Sequence, residues 1–197
     1  HVCACYEIKK QLHSAPCWYN RLFDVLRDNG ANDLNNLHVT LSKLFTKTQI
    51  YFFDEINNND KHPKLRTYRT FKRDMRIEPY LILGLPKSFH CSIARFRLSS
   101  HNLKIELGRH KRPYVPPEQR ICENCSLQQI EDEIHCLMVC PKWNEIRIPL
   151  LEVSFEHIPN FTVLSRDKQF HEILTHKSFE VNHTLGQFLK RALRTDT

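Results

Sequence analysis

The chain has 197 residues, of which 41% are hydrophobic and 26% are charged, so it can bury a core without disulfides. Four glycines are too few for glycine-rich phosphate loops or for a β-sandwich with many tight turns, and this scarcity favours helix. The formal net charge of +7 indicates an anionic partner such as nucleic acid.

The chain begins with His1 and not with Met, so we expect a fragment, a processed product or the tail of a longer polypeptide. The sequence contains no charged segment followed by an apolar run, so no signal peptide is predicted. No apolar run approaches the length of about 18 residues that a membrane helix needs, so we expect no membrane contact.

Two helices are predicted in an N-terminal helical region, residues 1–60. Apolar residues recur at helical spacing over residues 16–29 and again over residues 37–56. The polar run at residues 56–60 then ends this region.

A basic helical region follows at residues 61–113, with predicted helices over 64–75 and 87–99. Residues 61–76 carry a net charge of +6, and residues 109–120 carry +3. These segments supply the candidate nucleic-acid-binding residues, which are Lys64, Arg66, Arg69, Lys72, Arg73, Arg76, Arg109, Lys111 and Arg112.

Two interpretations of the basic segments stay open. In the first, the arginines donate forked hydrogen bonds to phosphates, and Tyr68 or Phe71 stacks on a base. In the second, the charges form a solvated helix face while the aromatic rings lie in the core.

A metal motif lies within a predicted zinc module at residues 114–153. Cys122 and Cys125 are separated by two residues, His135 follows after nine more, and Cys140 after a further four. This spacing is typical of a zinc site, with two thiolates on one tight turn and two donors on a following helix. Pro141 should deform or end that helix.

Cys136 is a rival fourth ligand, because it precedes Cys140 by four residues and would share its helix face. We favour His135 and interpret Cys136 as a small buried apolar side chain. Four protein ligands would close the site to water, so we predict one structural Zn²⁺ and no catalytic one.

The zinc module is acidic, unlike a module that grips phosphates. Residues 121–140 contain Glu123, Glu131, Asp132 and Glu133 and no Lys or Arg. Either the module positions the neighbouring basic segment, residues 109–120, or Glu131 and Glu133 bind Arg109 or Arg112 within the fold.

The C-terminal region, residues 154–197, is predicted to hold two helices over 167–175 and 181–194, after a helix over 144–153 that closes the zinc module. The last helix has the most regular apolar pattern of the chain. The predicted fold class is therefore all-α, a helical bundle with a small embedded CCHC zinc module.

Three stretches of the chain resemble one known family. The stretches LRTYRTFKRDMRIEPYL at 65–81, RLSSHNLKIELGRHKRP at 97–113 and ICENC…IEDEIHCLMVCPKW…R at 121–147 are similar to the C-terminal tail of reverse transcriptases from non-LTR retrotransposons. The resemblance implies a tail that follows a polymerase domain and helps to bind RNA or DNA. It also implies the ligand set Cys122, Cys125, His135 and Cys140.

The expected function is nucleic-acid binding without catalysis, since the chain has no Asp-Asp pair for the two metal ions of a polymerase. The alternative is a protein-interaction module that docks on an upstream polymerase domain or on a host partner. A hydrolase is a distant third, because no His pairs with a nucleophile. Reduced thiols beside zinc would indicate an intracellular compartment, the nucleus or the cytoplasm.

Overall fold

The computed structural model describes residues 24, 25, 27, 28 and 34–193. Of the helix predicted over 16–29, the four residues described are helical. Cys3, Cys5 and Cys17 lie outside the described residues. The chain separates into two compact units, His1–Glu55 and Ile56–Thr197.

The long helix α1 runs Leu34–Asn57, slightly beyond the range of 37–56 that the sequence predicts. Several of its apolar side chains are exposed, among them Val39, Phe45, Ile50 and Tyr51. Thr40 is buried, at 4% exposure. Of the apolar residues that predicted this helix, Phe45 and Tyr51 are exposed, whereas Phe52 is half-buried and Ile56 is buried.

Seven further α-helices lie in the described part of the second unit. They are α2 Arg66–Phe71, α3 Pro79–Ile82, α4 Lys87–Arg97, α5 Lys104–His110, α6 Asn144–His157, α7 Arg166–Thr175 and α8 Phe179–Ala192. Short 3₁₀ turns connect some of them, and a π-helical turn spans His135–Val139. No strand occurs in the described part of the chain, so the all-α prediction is confirmed.

The core of this unit forms around α8, which packs against α4, α6 and α7. Val181, Leu185 and Leu189 are fully buried along one face of α8, as the spacing predicts. Gly186 permits close contact with α4, because a Cβ there would lie 2.5 Å from Cβ of Phe89. Ser178 caps α8 by accepting a hydrogen bond of 3.2 Å from the Val181 N–H.

The helix predicted over 64–75 is much shorter in the structure, and this prediction is wrong at its C-terminal end. Helix α2 ends at Phe71, and Lys72 is extended. The Lys72 ammonium is buried and donates to the Arg76 carbonyl and to Glu78. These bonds stabilise a turn where the sequence pattern alone favoured continued helix.

Helix α5 was not among the helices predicted from the sequence. Gly108 lies inside α5, and its lack of a side chain is needed for packing. A Cβ there would lie 2.6 Å from Nε of Arg120, whose guanidinium donates to the carbonyls of Ile105 and Val115. The glycine therefore makes room for a buried arginine beside the helix.

Over the described residues, none of the helices combines the length and the apolar character that crossing a membrane requires.

Candidate metal centre

The turn that carries Cys122 and Cys125 is framed by a short hairpin. Ile121 and Ile130 form an isolated antiparallel bridge. The Cys122 N–H donates to the Gln129 carbonyl at 2.8 Å, and the Glu131 N–H donates to the Arg120 carbonyl at 2.9 Å. This frame fixes the backbone on both sides of the turn.

The other two donors are brought together by the π-helical turn. The Cys140 N–H donates to the His135 carbonyl at 2.7 Å, closing a turn of five residues. In a regular α-helix, residues five apart point about 140° away from each other. The wider turn reduces this angle, so His135 and Cys140 can face the same point.

The four predicted donors converge. The donor atoms of Cys122, Cys125, His135 and Cys140 all lie within 4.8 Å of one another. Sγ of Cys122 lies 3.9 Å from Sγ of Cys140, and Sγ of Cys125 lies 3.4 Å from Nε2 of His135. A tetrahedral ion with Zn–S bonds of 2.3 Å and a Zn–N bond of 2.0–2.1 Å separates such pairs by about 3.8 and 3.6 Å. These two distances are close to the ideal ones, and the four donors lie near enough to one another to hold a metal ion.

A second layer of polar contacts orients the His135 ring. Oε1 of Gln129 lies 3.2 Å from Nδ1 of His135. A proton on Nδ1 would be donated to this amide oxygen, which leaves the Nε2 lone pair directed at the three sulfurs. The Asp132 carboxylate accepts the His135 N–H at 2.8 Å and fixes the start of the turn. Sequence motifs do not identify Gln129, because a carboxamide in a loop carries no distinctive spacing.

Burial changes the proton affinity of the donors. It raises the pKa of the Cys122 thiol to about 12 and also raises the pKa of the Cys140 thiol. Burial lowers the pKa of His135, which favours the neutral imidazole that metals bind. A bound cation would offset the cost of the buried thiolates, so metal binding should release protons.

Cys136, the rival ligand, lies outside the group of four. Its side chain is 1% exposed and belongs to the apolar core with Leu137 and Leu150. Burial raises the pKa of this thiol strongly. The structure therefore agrees with His135 as the fourth donor and with Cys136 as a core side chain. The described cysteines, including Cys91, are all free thiols.

The segment that carries the four donors, residues 121–140, is here called the metal loop. It contacts the two helices that flank it in the chain, α5 and α6. The Glu131 carboxylate accepts the Lys104 N–H at 3.1 Å, and the Glu131 carbonyl accepts the Ile105 N–H at 3.2 Å, so the start of α5 is tied to the loop. The buried Arg147 guanidinium of α6 donates to the carbonyls of Cys136 and Cys140. Ordering the loop therefore positions both helices.

The acidic side chain of Glu133 is the centre of a buried charge network that sequence reasoning missed. Its carboxylate is 2% exposed and accepts two hydrogen bonds of 2.7 Å from Arg66, one of 2.6 Å from Ser99 and a contact of 2.8 Å from His101. Burial raises the pKa of Glu133, but His101, Arg66 and Ser99 outweigh it and lower the pKa to about 2. Glu133 is therefore a structural anion that holds α2, the 98–103 loop and the metal loop together.

The hypothesis that Glu131 or Glu133 binds Arg109 or Arg112 is wrong, because these carboxylates bind other residues. The acidic residues are used within the fold, but Glu133 binds Arg66 from another part of the chain. Glu131 accepts from Asn124 at 2.9 Å and from the α5 backbone.

Four of the nine predicted nucleic-acid-binding residues are half-buried and engaged in internal contacts, and a fifth, the exposed Arg76, lies 3.5 Å from the Asp74 carboxylate. Arg66 binds Glu133 and Glu106, Lys72 binds Glu78, and Arg69 donates to the carbonyls of Ile56 and His62. The fourth is Arg109, which lies 3.5 Å from Glu106. The five that are exposed are Lys64, Arg73, Arg76, Lys111 and Arg112.

The two aromatic candidates for base stacking also have internal roles. Phe71 is buried, at 6% exposure, with the Arg97 guanidinium 4.2 Å from its ring centroid. Tyr68 packs edge-on against Phe71. Arg97 is itself 2% exposed and binds Glu78 and the Leu174 carbonyl. For Phe71 the structure therefore agrees with the second of the two interpretations, in which the aromatic ring lies in the core.

Comparison with known proteins identifies no relative: no family model, no curated protein and no solved structure matches the chain. The interpretation of this chain consequently depends on its own residues and geometry.

Proposed function

We propose that this chain is a zinc-stabilised region that binds nucleic acid and is catalytically inert by itself. Its proposed origin is the C-terminal tail of a reverse transcriptase of the non-LTR retrotransposon type. The observation that carries the proposal is the convergence of Cys122, Cys125, His135 and Cys140 to within 4.8 Å. These are the four positions that the resemblance to that family implies.

Zn²⁺ is the proposed ion because of the donor set. Three thiolates and one imidazole favour zinc over Ca²⁺ or Mg²⁺, which prefer oxygen ligands. Four protein donors fill a tetrahedral shell and leave no position for a water or a substrate. The ion would therefore stabilise the loop between α5 and α6 rather than perform chemistry.

Nucleic acid is the proposed partner because cations remain exposed after the internal ion pairs are formed. Among the nine predicted residues, Lys64, Arg73, Lys111 and Arg112 are exposed with no ion pair to another described residue. The net charge of +7 adds a long-range attraction for a polyanion.

A second candidate function, docking on a protein, is favoured by one observation. Helix α1 exposes Val39, Phe45, Ile50 and Tyr51, which are between 50% and 66% exposed. Exposed apolar side chains of this size often mark protein interfaces. An upstream polymerase domain is the proposed partner for this surface.

The deciding experiment is a salt series on the full chain purified with zinc. A labelled single-stranded RNA, a single-stranded DNA and a duplex DNA are titrated by fluorescence anisotropy between 0.05 and 0.4 M salt. We expect binding whose logarithm falls with the logarithm of salt concentration by about 0.7 per phosphate contact for single strands. Absence of binding to all three at low salt would contradict the nucleic-acid proposal and favour the docking one.

Metal content is measured on the same preparation by mass spectrometry. One zinc per chain is expected, with loss of both the metal and nucleic-acid binding after chelation. Retained helical content and tight binding in a fully metal-free chain would contradict a structural role for the ion.

A further inference from the structure

Two adjoining clefts border α5 and the 98–103 loop. The first has a volume of about 320 Å³ and is lined by α4, α5 and the end of α8. The second has a volume of about 510 Å³ and lies between α5, the metal loop and the end of α8. Asn102 and Leu107 line both clefts, so the two clefts adjoin, and together they are here called the basic groove.

Cations line the basic groove along its whole length. The first cleft has Lys64, Arg95 and Lys190, and the second has Lys104, Lys142 and Arg191. Five of these six side chains are exposed, and Lys104 is partly exposed. Only Lys64 belongs to the set that the sequence predicted, because the others come from four separate segments of the chain.

The carboxylates of the groove do not neutralise these cations. Glu106 in the first cleft is 4% exposed and is bound by Arg66 and Arg109. Glu131 in the second is 7% exposed and accepts from the Lys104 backbone and from Asn124.

The cations themselves are mostly unpaired. Lys104 pairs with Glu123, which is 79% exposed. Within the described residues, no carboxylate lies at ion-pair distance from Arg95, Lys190 or Arg191. The groove is therefore a concave surface with a clear excess of available positive charge.

An aromatic side chain lies at the metal-loop end of the groove. Trp143 lines the second cleft and is partly exposed, with the Lys142 ammonium 4.6 Å from its ring. Cations that follow a groove together with an aromatic ring are the usual elements of a single-strand binding site. Each cleft lies within the range of about 300–1,000 Å³ that holds drug-sized ligands, and a nucleotide is of that size.

We propose that the basic groove binds a single-stranded nucleic acid, with phosphates on the groove cations and a base against Trp143. This inference rests on the proposed function and identifies the surface that performs it. A single strand can follow a concave path with its bases splayed, whereas a duplex reaches only the rim.

The first test compares three triple variants, each of which removes three exposed cations from the zinc-loaded full chain. The groove variant is Arg95→Ala, Lys190→Ala and Arg191→Ala. The arm variant removes cations of the two basic segments of the sequence, 61–76 and 109–120, and is Arg73→Ala, Lys111→Ala and Arg112→Ala. The control variant is Arg166→Ala, Lys168→Ala and Lys177→Ala, at and after α7. Circular dichroism verifies that each is folded, and anisotropy measures binding to a labelled U12 and to a labelled 12-base-pair DNA duplex.

We expect the groove variant to bind U12 about 100-fold more weakly at 0.1 M salt, with a salt slope smaller by about 2, because three phosphate contacts are lost. The control variant should stay within about threefold of the unmodified chain, and the arm variant should lose less than about tenfold, because its cations add long-range attraction without lining the groove. Loss confined to the arm variant, or an equal loss in all three, would overturn the groove while leaving nucleic-acid binding intact. Absence of binding by the unmodified chain would instead overturn the proposed function, and the groove with it.

A second test leaves the groove unmodified. The chain has two tryptophans, so Trp18→Phe makes Trp143 the sole indole. We expect its fluorescence to be quenched as unlabelled U12 is added and to recover at high salt. Unchanged emission at a U12 concentration where anisotropy reports saturation would place the strand elsewhere and overturn the proposal.

Discussion

Cations in two regions of this molecule have opposite roles. Around Glu133 and Glu78, the side chains of Arg66, Lys72 and Arg97 are buried or half-buried in ion pairs. In the basic groove, Arg95, Lys190 and Arg191 are exposed and unpaired within the described residues. Part of the most basic stretch of the sequence therefore stabilises the fold, while most of the available charge of the groove comes from residues scattered along the chain.

The difference shows that the position of a carboxylate in space decides what a cation does. Arg66 lies 67 residues before Glu133 in the chain, yet it donates two hydrogen bonds of 2.7 Å to it. Arg95 has no such neighbour among the described residues. A charge run read along the sequence therefore overestimates the surface that a polyanion can reach.

The largest expected effect comes from the metal group, because the metal loop borders both regions. Cys140→Ala should abolish metal binding and unfold the loop, since structural zinc contributes about 10–16 kcal/mol of apparent binding energy in small zinc modules. The measurements are metal content by mass spectrometry and thermal unfolding by circular dichroism.

Cys136→Ala is the matched control for that variant. It removes a buried thiol four residues away and should keep one metal per chain, at a cost of about 1 kcal/mol for a small core cavity. Loss of the metal in Cys136→Ala with retention in His135→Ala would mean that Cys136 is the true fourth ligand.

The next effect tests the buried charge network. Glu133→Gln leaves Arg66 and His101 without their anion and should lower the free energy of unfolding by about 3 kcal/mol. Urea unfolding measures this change. Glu123→Gln, which removes an exposed carboxylate of the same module, should leave stability unchanged. Equal stability of both variants would contradict a structural role for Glu133.

The next prediction tests the contact between α4 and α8, because these helices form one wall of the basic groove. Gly186→Ala places a methyl group 2.5 Å from Cβ of Phe89 and should destabilise the protein by about 2 kcal/mol. Gln187→Ala, on the exposed side of α8, is the control. We expect weaker U12 binding in Gly186→Ala only, and normal stability of this variant would contradict the close packing.

The smallest expected effects on stability come from two adjacent residues of the basic segment 61–76, Lys72 and Arg73. The Lys72 side chain is 9% exposed and pairs with Glu78, so Lys72→Ala should cost about 2 kcal/mol. Arg73 is exposed, and Arg73→Ala should change stability by less than about 0.5 kcal/mol. Neither variant should change U12 binding by more than about threefold, as measured by anisotropy. A large binding loss in Arg73→Ala would favour the segment over the groove.

Features that depend on nearby residues could be predicted from the sequence. The four metal donors lie within residues 122–140, and their spacing sufficed because a turn and a helix fix their geometry locally. Helix α8 was predicted within two residues at each end, since its apolar period is regular. The preference for His135 over Cys136 also agrees with the structure.

Features that depend on residues far apart in the chain could not be predicted from the sequence. The sequence alone determined a helical chain with a group of three cysteines and one histidine able to hold a metal ion. The tertiary structure decided which cations form internal ion pairs and which remain free to bind a partner. It also decided where α2 ends and that Gly108 lies in a helix. The physical reason is that ion pairs such as Arg66 with Glu133, and close contacts such as Gly108 with Arg120, join residues far apart in the chain. Local periodicity and spacing carry no information about such pairs.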